Sequence, residues 1–279
     1  MARALELIFK GLNLGEGCIW DSFRNKVHFL DINKHKIYSY SLLDKSINYT
    51  QMNDYVGCIT LDEKNNLMAC VKDSFFRLDL EKATSEQLFA INQDDKLRFN
   101  DGKCDKFGNL WVGTMLINHS ENQGKGSLYC IKNDKVVAEY KNFNIPNGMA
   151  WEADKFYHID TVEQKVFAYD VEDECVLKNK SVAVEIDKSQ GSPDGMCMDA
   201  NGNFWIALWG GSKVVCYSKE QGKIIDEIII PEKNVSCCAF GGEKLDKLFI
   251  TSASEDLTGA LYCVDMAEVK GFNGNKYKT

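Results

Sequence analysis

Proline is nearly missing from this sequence: three among 279 residues, Pro146, Pro193 and Pro231. All three stand at junctions between apolar segments, which leaves the segments themselves free to pair as strands. Histidine is almost as scarce. His28, His35, His119 and His158 share no ligand-like spacing, and no C-x-x-C occurs, which argues against a zinc site of the cysteine and histidine kind. No G-x-S-x-G is present and no thiol has a paired histidine, so serine and cysteine nucleophiles lack support. No apolar run approaches the length that spans a bilayer. Sustained 3.6-residue periodicity is absent, and with it any expectation of long amphipathic helices. A basic stripe is lacking too: Lys and Arg total 33 against 41 Asp and Glu, a net charge of −8. Neither nucleic acid nor an anionic membrane is an expected partner.

What remains is ordinary material for a folded protein, with 44% apolar and 27% charged residues. The eleven cysteines are odd in number, and most sit inside apolar runs such as VVCY and SLYC. With no signal peptide in view, they read as buried thiols in a reducing compartment, and the cytoplasm is the expected location. The closing stretch KGFNGNKYK reads as a polar tail.

Six segments repeat one pattern. Each opens on a small residue, continues as a short apolar strand, and then alternates turns with two more strands. Aligned on the small residue, the anchors are Gly17, Gly57, Gly102, Gly148, Gly195 and Cys237, 40 to 47 residues apart. LWVGTM and FWIALW carry the aromatic and β-branched residues of strands. DKFGN, DANGN and DEKNN read as hairpin turns. A fourth strand shows in KIIDEIII and SVAVEI. Such units repeated six times predict an all-β fold, a six-bladed β-propeller. Two packed β-domains of three units each are the alternative. No linker rich in Pro, Gly or Ser interrupts the repeats, which favours one ring and a single domain over residues 1–279.

In a propeller the innermost strand of each blade lines the central channel, so equivalent residues converge on its axis. The residue before each anchor is Glu16, Val56, Asp101, Asn147, Asp194 or Ser236. Converging carboxylates repel and raise one another's pKa unless a cation sits among them. Oxygen donors from Asp, Glu and Asn suit one hard divalent cation in the channel, calcium or magnesium by default, with manganese or zinc as further candidates. The glycine that follows would let the backbone turn sharply into the strand. Asp-Gly and Asn-Gly are also common turn dipeptides, so any one pair could be only a hairpin corner.

LGEGCIWD, LRFNDGKCDKFGNLWVGTM, IPNGMAW, SPDGMCMDANGNFWIA and SCCAFGG occur in that order between about Gly11 and Asp265. Together they resemble the senescence marker protein/gluconolactonase family, and within it the branch of regucalcin and the luciferin-regenerating enzyme. The resemblance implies a six-bladed propeller with one divalent metal in its channel and hydrolysis of lactones, typically those of sugar acids such as gluconolactone. It also implies Glu16, Asn147 and Asp194 as metal ligands, Arg98 and Asn100 as substrate contacts, and Asp194 as general base besides. One stretch departs from the pattern. Animal regucalcins carry a glutamate-containing segment after GTM, whereas Leu116, Ile117 and Asn118 stand here in a shorter loop whose nearest acid is Glu121. Asn118 becomes the candidate substrate contact of that loop, and preference shifts toward a less hydroxylated or more apolar lactone.

In the chemistry so implied, a cation-bound lactone carbonyl becomes more electrophilic while a carboxylate draws the proton from attacking water. Asp194 is the candidate base and Glu16 a plain ligand. Arg98 would place a charge-assisted fork on substrate oxygens. Asn100 would donate to the lactone or hold a metal-bound water, unless it merely caps the turn at Asp101. Asp101 is expected to orient its strand or steady a ligand without binding metal directly. Trp20, Trp111, Trp151 and Trp205 read as packing between blades, and His158 as a core residue with a satisfied ring nitrogen. The expected partner is a small-molecule lactone, and the protein a monomer or weak dimer. Three other functions stay open: a non-catalytic calcium-binding regulator, a metal-dependent hydrolase of another ester such as a phosphotriester, and a scaffold whose polar slots are turns only.

Overall fold

The computed structural model describes residues 3–80, 82, 84–91, 93–118 and 124–279. Its strands form six antiparallel four-stranded sheets arranged as a β-propeller. Blades one to five cover residues 15–51, 56–90, 97–143, 146–185 and 192–229 in chain order. Each begins with its innermost strand: β2 (Gly15–Asp21), β6 (Val56–Leu61), β10 (Leu97–Cys104), β14 (Pro146–Glu152) and β18 (Ser192–Met198). Blade six closes the ring from both ends of the chain. Its inner strands are β22 (Asn234–Gly241), β23 (Lys247–Ala253) and β24 (Gly259–Asp265), and its outermost strand is β1 (Leu5–Leu12). Leu5 pairs opposite Val264 and Lys10 opposite Ala260, so β1 covers an edge that would otherwise expose unpaired backbone groups.

Burial follows the same division. The apolar core falls into six clusters, each shared by two adjacent blades. One of them sets Trp20 and Phe29 against Leu12, Phe249 and Leu261, and thereby joins blade one to blade six. Three of the four tryptophans pack between blades as expected: Trp20 stacks on Phe249 with ring centroids 6.2 Å apart, Trp111 on Phe156 at 5.1 Å, and Trp205 meets Phe240 edge-on, whereas Trp151 stacks on Phe156 of its own blade at 4.9 Å.

The polar turns explain their own sequences. In DKFGNLW the buried Asp105 accepts from the backbone N–H of Phe107 and Asn109, from Asn109 Nδ2 and from Trp111 Nε1. In DANGNFW Asp199 does the same for Asn201, Asn203 and Trp205. One carboxylate thus ties a hairpin to the tryptophan that packs against the next blade. That is why the Asp, the Asn and the Trp recur at fixed spacing.

Three expectations are corrected. The closing stretch is no loose tail: it crosses the channel floor, opposite the end where the inner strands begin. Gly271 bridges to Asp199 and Tyr277 to Asp62, Asn275 Nδ2 donates to Cys104 O, and the Tyr277 ring is fully buried between blades two and three. Above this strap lies a cavity of about 170 Å³, lined by Trp20, Leu61, Lys103, Met149 and Phe240. Next, the cysteines are not all free thiols. Cys130 and Cys175, from blades three and four, form a disulfide with a Cα–Cα distance of 6.1 Å, and nine others are buried and free. Finally, His158 lacks the satisfied nitrogen expected of it. Buried against Phe143 and Phe156, it has no hydrogen-bond partner at Nδ1 or Nε2 among the described residues. Among the described residues no helix is long and apolar enough to cross a membrane.

Candidate functional site

All six inner strands lose register with their neighbour at the same place. The shifts fall between Glu16 and Ile19, Val56 and Cys58, Phe99 and Gly102, Asn147 and Met149, Pro193 and Met196, and Val235 and Cys237. A bulge breaks the two-residue alternation and re-aims a side chain. Here it leaves Asp101, Asp194 and Ser236 without a register partner, while Glu16, Val56 and Asn147 are the last paired residues before the shift.

The glycines work differently from expectation. Only Gly17 among the five anchor glycines has a positive φ, 55°. At the others the constraint is close approach: a Cβ on Gly57 would meet Phe99 O at 2.3 Å, on Gly148 Asp194 O at 2.7 Å, and on Gly195 Cys237 Cα at 2.7 Å. Each of these inner strands touches the next blade's inner strand backbone to backbone, and that contact draws the slot residues into a narrow ring.

Glu16, Arg98, Asn100, Asn147 and Asp194 are brought together and buried, each at most 9% exposed. They come from blades one, three, four and five. Burial pushes the Glu16 carboxyl up to about 8, with Asp101 adding repulsion while the Gly17 N–H and Arg98 pull it back. Asp194 is raised well above the usual carboxylate range, chiefly by burial and then by Glu16. Among the described residues nothing donates a hydrogen bond to the Asp194 carboxylate, and neither acid has an ion-pair partner within 4.0 Å. Arg98 is held down to about 10 by burial, which still leaves it cationic at neutral pH.

The amides are tightly bonded. Arg98 Nη1 donates to Phe99 O and to Asn100 Oδ1, each at 2.9 Å. Asn100 Nδ2 donates to Pro146 O at 3.0 Å and to Asn147 Oδ1 at 2.9 Å. Asn147 Nδ2 in turn donates to Thr161 Oγ1 at 2.8 Å. Asn100 therefore does not cap the turn at Asp101, whose carboxylate instead accepts from Gly102 N–H at 2.7 Å. Both hydrogens of Asn100 Nδ2 are already committed, so the amide can offer a substrate its oxygen more readily than a donor. Asn118 is exposed beyond β11 (Leu110–Leu116), on the same rim as Arg98 but outside the buried cluster. Glu121 lies outside the described residues.

Two groups went unforeseen. Tyr55, half-buried at the start of the second inner strand, is close enough to Arg98 to favour its charge. Thr161 sits in the turn after β15 (Lys155–Asp160), a position that the alignment on inner strands does not sample. The threonine after the acid in HIDT is the only trace of it in the sequence.

Two buried carboxylates with no ion-pair partner among the described residues, and an amide oxygen that keeps a lone pair beyond its bond from Asn100, suit a hard divalent cation in donor type and in charge. The described residues contain no group of three or more His, Cys, Asp or Glu placed to hold a metal ion, so the fit depends on the Asn147 amide as third donor.

A six-bladed propeller with an acid, amide and guanidinium cluster at one mouth of its channel defines a class of ring-shaped proteins with an axial binding site. The chain belongs to the SMP-30/Gluconolactonase/LRE-like family, whose pattern matches residues 14–254. It is 33% identical over 250 residues to a Bacillus subtilis (strain 168) protein carrying the provisional name sugar lactone lactonase YvrE, covering 88% of this chain and 85% of that one. It is 29% identical over 254 residues to regucalcin of Danio rerio, covering 89% and 86%. The solved structure of a luciferin-regenerating enzyme superposes over 100% of both chains with a TM-score of 0.93 at 28% identity.

Proposed function

We propose that the protein is a lactonase that works with one divalent cation held by Glu16, Asn147 and Asp194. Family membership supports lactone hydrolysis, and the B. subtilis relative's name supports a sugar lactone as substrate. One observation carries the reading: two buried carboxylates without an ion-pair partner among the described residues, Glu16 bonded only to the Gly17 N–H and Asp194 to no donor, stand beside a buried arginine. Without a cation, burial and mutual repulsion raise both carboxyls above the usual carboxylate range. When bound, the cation would polarise the lactone carbonyl and favour negative charge on its oxygen.

The protein's own groups supply the rest. The Asp194 carboxylate takes the proton from the attacking water and returns it to the ring oxygen as the C–O bond breaks. Nothing described donates to this carboxylate, so its oxygens are free to do so. Arg98 keeps Nε and Nη2 without partners among the described residues, and these N–H groups can grip substrate oxygens and the charge developing there. Asn100 holds Arg98 on one side and Asn147 on the other. A purely cation-storing protein would gain nothing from Arg98, since a guanidinium beside the site opposes cation binding. Its presence favours an enzyme over a calcium-binding regulator.

Chelator-stripped protein, restored with Ca²⁺, Zn²⁺, Mg²⁺ or Mn²⁺ in turn, should be assayed over aldonolactones and simple five- and six-membered lactones. Activity is expected only with cation, and Asp194→Ala should lower kcat by 10²-fold or more, an order of magnitude typical for losing a base. Full turnover by stripped protein, or by Asp194→Ala, would refute the assignment.

A further inference from the structure

Five groups from three blades form one hydrogen-bonded chain whose direction is fixed at both ends. Arg98 Nη1 donates to Asn100 Oδ1, Asn100 Nδ2 to Asn147 Oδ1, Asn147 Nδ2 to Thr161 Oγ1, and Thr161 Oγ1 to Pro193 O at 2.8 Å. Arginine can only donate and a peptide carbonyl can only accept, so every group between them has one allowed orientation. Rotating the Asn147 amide by half a turn would set its Nδ2 against the Asn100 Nδ2, donor against donor. It would also draw the Thr161 hydroxyl proton away from Pro193 O.

We infer that Thr161 is a positioning residue: its hydroxyl locks the Asn147 amide with the oxygen turned away from Thr161, toward Asn100, and ties that setting to the residue preceding Asp194. The inference rests on the cation-site reading given above, because the oxygen so presented is the proposed third donor. Thr161 itself lies in the turn after β15 and is only half-buried. Its bond to Pro193 O falls at the start of the register shift between Pro193 and Met196, the bulge that carries Asp194. Groups that orient a ligand from behind typically change metal affinity by about 10- to 100-fold.

The test is calorimetric titration of stripped protein with CaCl₂ and ZnCl₂, without any substrate. Thr161→Val, close in shape but lacking the hydroxyl, should weaken cation binding by about tenfold or more, and Thr161→Ser should restore it. Asn147→Asp supplies a decisive background, since a carboxylate has oxygen at both positions and no amide to orient. There, adding Thr161→Val should leave the affinity within about twofold. Equal weakening in both backgrounds, or no weakening in either, overturns the positioning role. If Thr161→Val does not fold, Thr161→Ala in the same two backgrounds decides it by the same criterion. Failure of the wild type to bind either cation would instead remove the cation-site reading, and the inference with it.

Discussion

His158 has two ring nitrogens, and among the described residues neither has a hydrogen-bond partner. Burial holds its pKa down to about 3 from the ordinary 6.5, with Lys180 adding to the effect. The unfolded chain takes up this proton first as pH falls, so the folded state loses stability from pH 6.5 down to about 3 and none above that window. By pH 4 the loss from this residue alone should reach about 3 kcal/mol, at about 1.4 kcal/mol per pH unit. His158→Leu, close in volume, should raise stability at pH 7, because a buried polar atom without a partner costs about 1–3 kcal/mol. The gap over wild type should widen at pH 4. Parallel acid curves for the two proteins in denaturant titrations would show that the ring is solvated after all. The same contrast explains what can be read from residues alone. The gathering of Glu16, Asn147 and Asp194, with Asp101, is legible because one slot recurs in six units, but the choice of three ligands among them rests on the family resemblance. The bonding of His158, Thr161 and Asn100 is not, since it depends on which neighbours the fold supplies.

Among the elements, the hairpins announce themselves and the floor strap does not. DKFGNLW and DANGNFW repeat because each Asp closes its own turn within the blade, a local arrangement that leaves a local pattern. Residues 267–279 have no counterpart in the repeat, and their few apolar side chains are scattered among Gly, Asn and Lys. Nothing in that composition distinguishes a strap from a frayed end; only the complementary floor makes it pack. Tyr277 is the test. It is 0% exposed, meets Phe75 edge-on at 5.1 Å, and its hydroxyl both accepts from Asp134 N–H and donates to Asp134 Oδ1. Tyr277→Ala should cost about 3–5 kcal/mol, the range for emptying a large aromatic site. The midpoint in urea should drop accordingly, while cation binding at the opposite mouth persists. A change below about 0.5 kcal/mol, the size of an ordinary surface substitution, would mean that the strap is detached in solution.

For the whole molecule, the consequence of the ring is that donors 131 and 47 residues apart, at Glu16, Asn147 and Asp194, meet only if the blades close. Closure depends on β1 completing blade six, so site and global stability are linked. Without a cation the link works against the fold. The folded Glu16 carboxyl sits at about 8 against an ordinary 4.5, so its contribution is fully present below pH 4.5 and is lost as pH rises toward 8. Stripped wild type should therefore melt at lower temperature at pH 8 than at pH 5.5, and Glu16→Gln should flatten part of that slope. Adding a cation at 100 times its Kd should return about 2.7 kcal/mol to the wild type, a rise of roughly 5 °C in Tm. Glu16→Gln should gain little from the same addition. Both proteins can be followed by thermal unfolding with and without chelator across that pH range. If cation moves neither, and the stripped proteins share one pH profile, the acids on separate blades do not serve a common ion, however closely the ring brings them together.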